Sequence, residues 1–423
     1  MPSLNDTVST LYNRDATKLI ATLLRVLGPA NMNVAEDLVH ETFNRALIHW
    51  TKKGLPTSPS AWLMLTAKRA AIDYLRQSSN QRRLLQGCLI DDGSEELARS
   101  HALNAAFSPS MLEDDQLRLL FWISSSELPD AQRLPLALKA LCGMSVDAIG
   151  RALLCRPETI KKRLSRATHR LRSVRFDIPA ESDLGNALER VHRTLYLLFN
   201  EGISAHNPKP NGRADLCLSA LGFMRLIIAE PRFRNAESMA LTALMHFHYA
   251  RLPSRFDHAG MPLTLGEQNR AAWLPEHLSS GFALLQLALN DADGQPSCYL
   301  LEALIAFEHC RAATFSHTHW QTISQHYLAL LKLSPTALNT LSAAVALVEV
   351  GNAEHALQLL NSESVSQDNA SVAQRFATKA YVHWKMGQPQ PAHSNAMKAK
   401  QAGLAEVDFR TLMRQISPQS VHF

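Results

Sequence analysis

Residues 157–171 restrict this chain more than any other stretch. Ile160, Leu164, Ala167 and Leu171 recur at spacings of four, three and four, which line one face of an α-helix. Pro157 opens the segment, where a missing backbone N–H costs nothing because the first helical turn has no intrahelical acceptor for it. Around that apolar stripe, residues 155–175 carry eight cations (Arg156, Lys161, Lys162, Arg163, Arg166, Arg170, Arg172 and Arg175) against one carboxylate, Glu158. One side of such a helix must be buried, and the other presents dense positive charge.

The preceding residues supply a partner. Ser145 is placed to cap a helix starting at Val146, with Asp147 in the favourable first turn, and Ile149, Ala152 and Leu153 are expected to face inward. A short turn then leads to Pro157, so the pattern is helix-turn-helix. Thr159, Lys161, Lys162, Ser165 and Arg166 face away from the apolar stripe, where a helix seated in a major groove meets base edges. Arg163, Arg170, Arg172 and Arg175 suit phosphates. The plain alternative is a solvated basic face, but one carboxylate among eight cations leaves few intrahelical ion pairs to account for it.

Charge elsewhere agrees. Residues 1–180 hold 24 Lys and Arg against 18 Asp and Glu, whereas the remainder holds 19 against 20. The whole excess lies in the first part, as expected if that part meets a polyanion and the rest does not. The six cysteines are scattered without a C-x-x-C pair, which argues against a disulfide scaffold or a zinc site and fits a reducing cytoplasm. No signal pattern or apolar run of membrane length is present, so the expectation is a cytoplasmic protein with no membrane partner. No metal or cofactor is expected.

Almost every segment reads as helix, so the fold class is all-α. Helices are expected over 5–28, 33–50 and from Pro59 through "SAWLMLTAKRAAIDYLRQ". Residues 79–115 read as an acidic linker, with "DDGSEE" at 91–96 and "EDD" at 113–115. Helix returns over 116–175, a boundary falls near 174–182, and residues 183–423 form a Leu- and Ala-rich helical domain. Within it, residues 343–360 and 379–396 align at an offset of 36, matching Gly351 with Gly387 and Ala356 with Ala392. Paired helices at about this period are the tetratricopeptide pattern.

"VAEDLVHETFNRALIHW" and "SPSAWLMLTAKRAAIDYLRQ" resemble region 2 of bacterial sigma factors of the extracytoplasmic-function type, and "SVDAIGRALLCRPETIKKRLSRATHRLR" resembles their region 4. "DDQLRLLFWISSSELPDAQRLPLALKALCGMS", "RVHRTLYLLFNEGISAH" and "RADLCLSALGFMRLI" are similar to a subgroup with a long tetratricopeptide-like C-terminal extension. The resemblance implies region 2 at 5–78 and region 4 at 116–175. Asp37, Leu38, Glu41, Phe43 and Arg45 would then bind core RNA polymerase at the β′ clamp helices, with the β flap as a further contact. Trp50, Lys68, Arg69, Asp73 and Arg76 would act at the −10 element during strand opening, while Trp62 reads as core. Arg156, Thr159, Lys161, Lys162, Arg163, Ser165, Arg166 and Arg170 would bind the −35 element of promoter DNA. Arg156 stands where a Ser-like cap is common, Lys162 where a small polar residue is common, and "ISSS" at 123–126 where the subgroup has Cys-Cys-His-Pro.

The C-terminal half shows no phosphate loop, H-E-x-x-H or G-x-S-x-G, so no enzymatic activity is expected. The histidines of "HFH" (246–248) and "HTH" (317–319) stand at i and i+2, which share no helix face. Asn200, Glu201, Gly202, Arg213 and Asp215 read as helix caps closing a polar network, with a ligand or partner groove as the alternative. The expectation is a sigma factor whose residues 183–423 modulate activity through a regulatory protein or an intramolecular contact. The rival is a helix-turn-helix transcriptional regulator with an effector- or partner-binding repeat domain.

Overall fold

The structure is a computed structural model, and it describes residues 4–86, 109–203, 214–362 and 369–416. Among these the regular structure is α-helix with four short 3-10 turns. In chain order the helices are α1 (Leu4–Leu27), α2 (Met32–Lys53), α3 (Pro59–Gln86), α4 (Pro109–Ile123), α5 (Asp130–Ala140), α6 (Val146–Ala152), α7 (Pro157–Leu171), α8 (Glu181–Ile203) and α9 (Ala214–Ala229). There follow α10 (Ala236–Ala250), α11 (Pro275–Asp291), α12 (Cys298–Arg311), α13 (Trp320–Leu333), α14 (Ala337–Glu349), α15 (Ala353–Asn361), α16 (Asn369–Lys385), α17 (Pro389–Gln401) and α18 (Glu406–Ile416).

The chain forms two compact units, Met1–Glu201 and Gly202–Phe423. The division falls inside the last turn of α8, not near residue 183, because α8 runs unbroken through "RVHRTLYLLF" and is tied to the first unit. Arg190 donates to the Ser124 carbonyl, Ser124 and Thr194 hydroxyls meet at 3.1 Å, and Arg193 pairs with Asp130 at 2.6 Å.

The linker expected at 79–115 is also shorter. Helix α3 continues to Gln86, and α4 is under way by Pro109. The cluster at 91–96 and Arg99 lie outside the described residues, but "EDD" at 113–115 is helical. Asp115 is fully buried, where it accepts from Thr22 Oγ1 at 3.0 Å and pairs with Arg25 and Arg118 at 2.5 and 3.0 Å. A buried carboxylate held by two guanidiniums and a hydroxyl is a structural anchor, not tether charge.

The core of the first unit follows from the apolar stripes. Helix α1 packs on α2, α3 and α4, and α7 packs on α5 and α6. Trp122 is buried, reaching the Val174 carbonyl at 3.3 Å and meeting Phe176 edge to face.

In the second unit α10 packs on α9, α11 and α12, followed by antiparallel neighbours α14–α15 and α16–α17. Gly351 and Gly387 close the first helix of each pair with φ of 84° and 70°, a left-handed cap that glycine adopts without steric cost. Ala356 and Ala392 are buried where the paired helices meet. Asn200, Glu201 and Gly202 lie in the last turn of α8 and Asp215 in the first turn of α9, whereas Arg213 is outside the described residues.

Candidate nucleic-acid interface

The turn between α6 and α7 is built by local chemistry. The Ser145 hydroxyl accepts from the Ala148 N–H at 3.2 Å and caps α6. Gly150 has to be glycine, since a Cβ there would lie 2.8 Å from the Cys155 carbonyl oxygen. The turn itself requires Leu154 in the left-handed region at φ 51°, with its side chain 77 % exposed. Pro157 opens α7, and Ile160, Leu164, Ala167 and Leu171 are buried as the spacing demands. Ala152 and Leu153 are only half-buried.

With that stripe fixed, Arg156, Thr159, Lys161, Lys162, Ser165, Arg166 and Arg170 are exposed on the other side, as are Arg172 and Arg175. Arg163 is the exception. It is half-buried, and its guanidinium lies 3.6 Å from Cys155 Sγ. Glu158 pairs with Lys161 at 2.9 Å and raises the lysine's pKa through that hydrogen bond, so the single carboxylate offsets one cation. Arg170 reaches the Glu127 carbonyl at 3.4 Å. A helix with this face can neutralise several phosphates while its N-terminal half meets base edges.

The other expected residues divide. Asp37, Glu41 and Arg45 are exposed on one side of α2, with Arg45 and Glu41 paired at 2.6 Å. Leu38 and Phe43 are buried instead, and Phe43 meets Tyr12 of α1 edge to face at 4.9 Å, which places both side chains in the core of this structure and not on its exposed face. On α3, Arg69, Asp73 and Arg76 are exposed and Lys68 is half-buried. Trp50 is 2 % exposed and leaves the set of candidate base contacts. Its ring faces the half-buried Trp62, which also lies 5.4 Å from the His49 ring.

Sequence reasoning passed over three large apolar side chains that the α2–α3 hairpin leaves exposed: Ile48, Leu55 and Leu65. The available signal for Ile48 and Leu65 was their register, since each falls outside the stripe that includes Ala46, Trp50, Leu63 and Ala67, whereas Leu55 lies in the loop between the two helices. Lys52 and Lys53 are exposed beside them at the end of α2.

Among the described residues, no group of three His, Cys, Asp or Glu is placed to hold a metal ion, and no helix is long and apolar enough to cross a membrane. His246 and His248 point apart, as their spacing requires. His246 Nδ1 meets His277 Nδ1 at 2.9 Å, and burial lowers the pKa of all three.

Comparison with known proteins assigns these elements. Residues 11–81 match sigma-70 region 2, residues 125–171 match sigma-70 region 4, and residues 187–289 match DUF6596, a family of unknown function. The sigma-70 regions belong to a non-enzymatic family whose members bind RNA polymerase core and promoter DNA. An uncharacterized protein of Rhizobium meliloti (strain 1021), R00370, is 34 % identical over 336 residues, covering 78 % of this chain and 77 % of that one. The ECF RNA polymerase sigma factor SigM of Bacillus subtilis (strain 168) is 26 % identical over 169 residues, covering 40 % of this chain and 93 % of SigM. No solved structure matches the chain.

Proposed function

The chain belongs to the same family as Rhizobium meliloti R00370, and from its sigma-70 regions 2 and 4 we propose that it is a sigma factor of the extracytoplasmic-function type. It binds core RNA polymerase, recognises a promoter and opens the strands. The observation that carries this reading is that one chain holds both sigma-70 regions, and that the second ends in α7 with its cationic face exposed.

In this reading Asp37, Glu41 and Arg45 meet the β′ clamp helices, where exposed charges orient the encounter. Lys68, Arg69, Asp73 and Arg76 act at the −10 element. Arg156, Thr159, Lys161, Lys162, Ser165 and Arg166 meet the −35 element, with Arg170 on phosphate.

The second unit modulates initiation through a partner-binding surface of tetratricopeptide-like helices. Two features support this: the hairpins α14–α15 and α16–α17, and a groove of about 580 Å3 lined by Trp320, Tyr381, Trp384 and Glu349 among others.

Reconstituted transcription tests the proposal. The full chain is mixed with core polymerase free of other sigma factors and a library of promoters. Promoter-specific transcripts are expected. Failure to join core at low salt, together with sequence-specific binding of the chain alone to duplex DNA, would favour the rival helix-turn-helix regulator.

A further inference from the structure

Three arginines of the second unit lie near one another with no carboxylate paired to them among the described residues. Arg251 follows the last turn of α10, Arg255 follows the 3-10 turn Leu252–Ser254, and Arg270 opens the 3-10 turn Arg270–Ala272. All three fall in the segment that matches DUF6596. Trp273 gathers two of them: the guanidinium carbons of Arg251 and Arg270 lie 5.8 and 4.7 Å from its ring centroid. The indole is itself fixed, donating to Ser254 Oγ at 2.8 Å. Burial lowers the Arg251 pKa to about 10, and the charges of Arg255 and Arg270 add to that effect. All three groups stay charged at neutral pH.

Most of their donors are unused. A guanidinium carries five N–H donors. Arg251 is buried, and its one side-chain hydrogen bond among the described residues runs from Nε to Gln268 Oε1 at 3.2 Å. Arg255 is half-buried, and its guanidinium has no hydrogen-bond acceptor among the described residues. Arg270 Nη1 donates to the carbonyls of His309 and Ala312 at 2.6 and 2.7 Å, but Nη2 is enclosed without a partner. The Nδ1 atoms of His248 and His309 are also enclosed and unpartnered. Burial, with the neighbouring arginines, lowers the pKa of both rings, so each is neutral and able to carry its proton on Nδ1.

The carboxylates nearest in sequence are committed elsewhere. Asp257 accepts from the N–H groups of Ala259 and Met261 and closes its own turn. Glu267 accepts from Thr264 and pairs with Arg414 at 2.8 Å. Glu308 pairs with Arg311 at 2.7 Å. The Cys310 thiol and Tyr327 phenol lie near Arg251, but burial raises the pKa of both, so neither is charged at neutral pH. The C-terminal end of α10 favours one adjacent cation, not three. Buried charges are paired because an unpaired ion taken from water is strongly unfavourable. The missing partner is an anion.

We propose that Arg251, Arg255 and Arg270 form a binding site for a small phosphoryl oxyanion, with Arg255 at its mouth. Guanidinium meets phosphate through parallel N–H···O bonds and is more weakly hydrated than ammonium, which suits a partly closed site. Arg251 and Arg255 approach from the end of α10, and Arg270 from the segment leading into α11. Donors arriving from different directions match the tetrahedral oxygens of phosphate better than a planar carboxylate. Arg255 keeps part of its surface in solvent, which gives a small ion an entrance. The site does not rest on the sigma-factor reading.

Isothermal titration calorimetry of the full chain, freed of phosphate and held at constant ionic strength with chloride, tests the site. Inorganic phosphate is expected to give one saturable binding event and to protect the chain against urea, since it binds the folded form. Malonate, a planar dicarboxylate, should bind more weakly. Glycerol 3-phosphate, titrated in parallel, separates the two sources: binding at least as tight as that of phosphate assigns a phosphate ester, and weaker binding assigns the free ion. Arg251→Met and Arg255→Gln should each weaken phosphate binding about tenfold or more, because each removes charge-assisted hydrogen bonds. The exposed Arg234→Gln should bind as wild type. If Arg251→Met fails to fold, Arg255→Gln decides, because that position is half-buried. Neither heat nor protection with phosphate, tighter binding of malonate, unchanged binding in a folded Arg251→Met or in Arg255→Gln, or an equal loss in Arg234→Gln overturns the proposal.

Discussion

Trp50 and Trp62 meet edge to face with ring centroids 5.4 Å apart, and they fasten α2 to α3. Trp50 is enclosed, and its indole N–H has no hydrogen-bond partner. Trp50→Ala should therefore cost about 3–5 kcal/mol of stability, as expected for emptying a large core site. Trp50→Phe should cost much less, because it removes an unsatisfied donor along with part of the ring. Urea denaturation of both variants checks the order. A Trp50→Ala protein that stays fully stable but fails to capture melted −10 strands would return the residue to the DNA-binding set.

What the sequence shows plainly is local. The stripe Ile160–Leu171, the Ser145 cap and Pro157 are set by spacing and by backbone chemistry within one or two turns, and α7 forms where they place it. What it hides depends on distant partners. Asp115 looks like tether charge until Arg25, 90 positions earlier, is brought against it. Phe43 stands between Thr42 and Asn44, and its packing against Tyr12 of α1 is what turns it from a partner contact into core. The polar run "QSSNQRRLLQ" at 77–86 offers no apolar stripe, so the continuation of α3 through it leaves no periodic signal.

Asp115 makes a second prediction. Asp115→Asn keeps the shape but removes the charge that faces Arg25 and Arg118, leaving two partly buried guanidiniums without it. Breaking one side of a buried ion cluster costs about 3–5 kcal/mol. Thermal denaturation should show the loss, and it should exceed that of Arg118→Gln, whose position is closer to solvent.

Leu154 carries a third. A β-carbon in the left-handed region costs roughly 1–2 kcal/mol, and the exposed leucine side chain recovers little of that by burial. Leu154→Gly should stabilise the first unit by about 0.5–1 kcal/mol. If the substitution instead leaves folding intact and abolishes transcription, the side chain is held in that conformation for a partner.

Charge on α7 gives a fourth. Arg166→Ala should weaken binding to a −35 duplex by about 1–3 kcal/mol and relax preference at one position if it meets a base edge. Lys162→Ala should weaken all sequences alike and lower the salt slope by about one if it meets phosphate. Glu158→Gln should tighten binding, because it frees Lys161 from its carboxylate. Titration of labelled duplexes from low to moderate salt separates these outcomes, and a solvated face with no DNA role would leave all three variants alike.

His309 gives a fifth, with a definite sign. It is buried beside Trp320, its Nδ1 has no partner, and Arg251 and Arg270 crowd it with positive charge. Burial first, then those arginines, brings its pKa down to about 3. In the unfolded chain a histidine titrates near 6.5, so between those values the unfolded state binds the extra proton. The stability gained by keeping this ring neutral is complete above about pH 6.5 and is lost as pH falls toward 3, at about 1.4 kcal/mol per pH unit. At pH 5 the loss from this one group is about 2 kcal/mol. His309→Gln removes the titration, so the fall in stability between pH 7 and pH 5 should be smaller in the variant by about that amount. Urea denaturation at the two pH values measures the difference of differences, which cancels any loss of packing common to both. Equal falls in wild type and variant would mean that His309 takes up a proton as readily in the folded chain as in the unfolded one, and that its burial beside Trp320 does not hold it neutral.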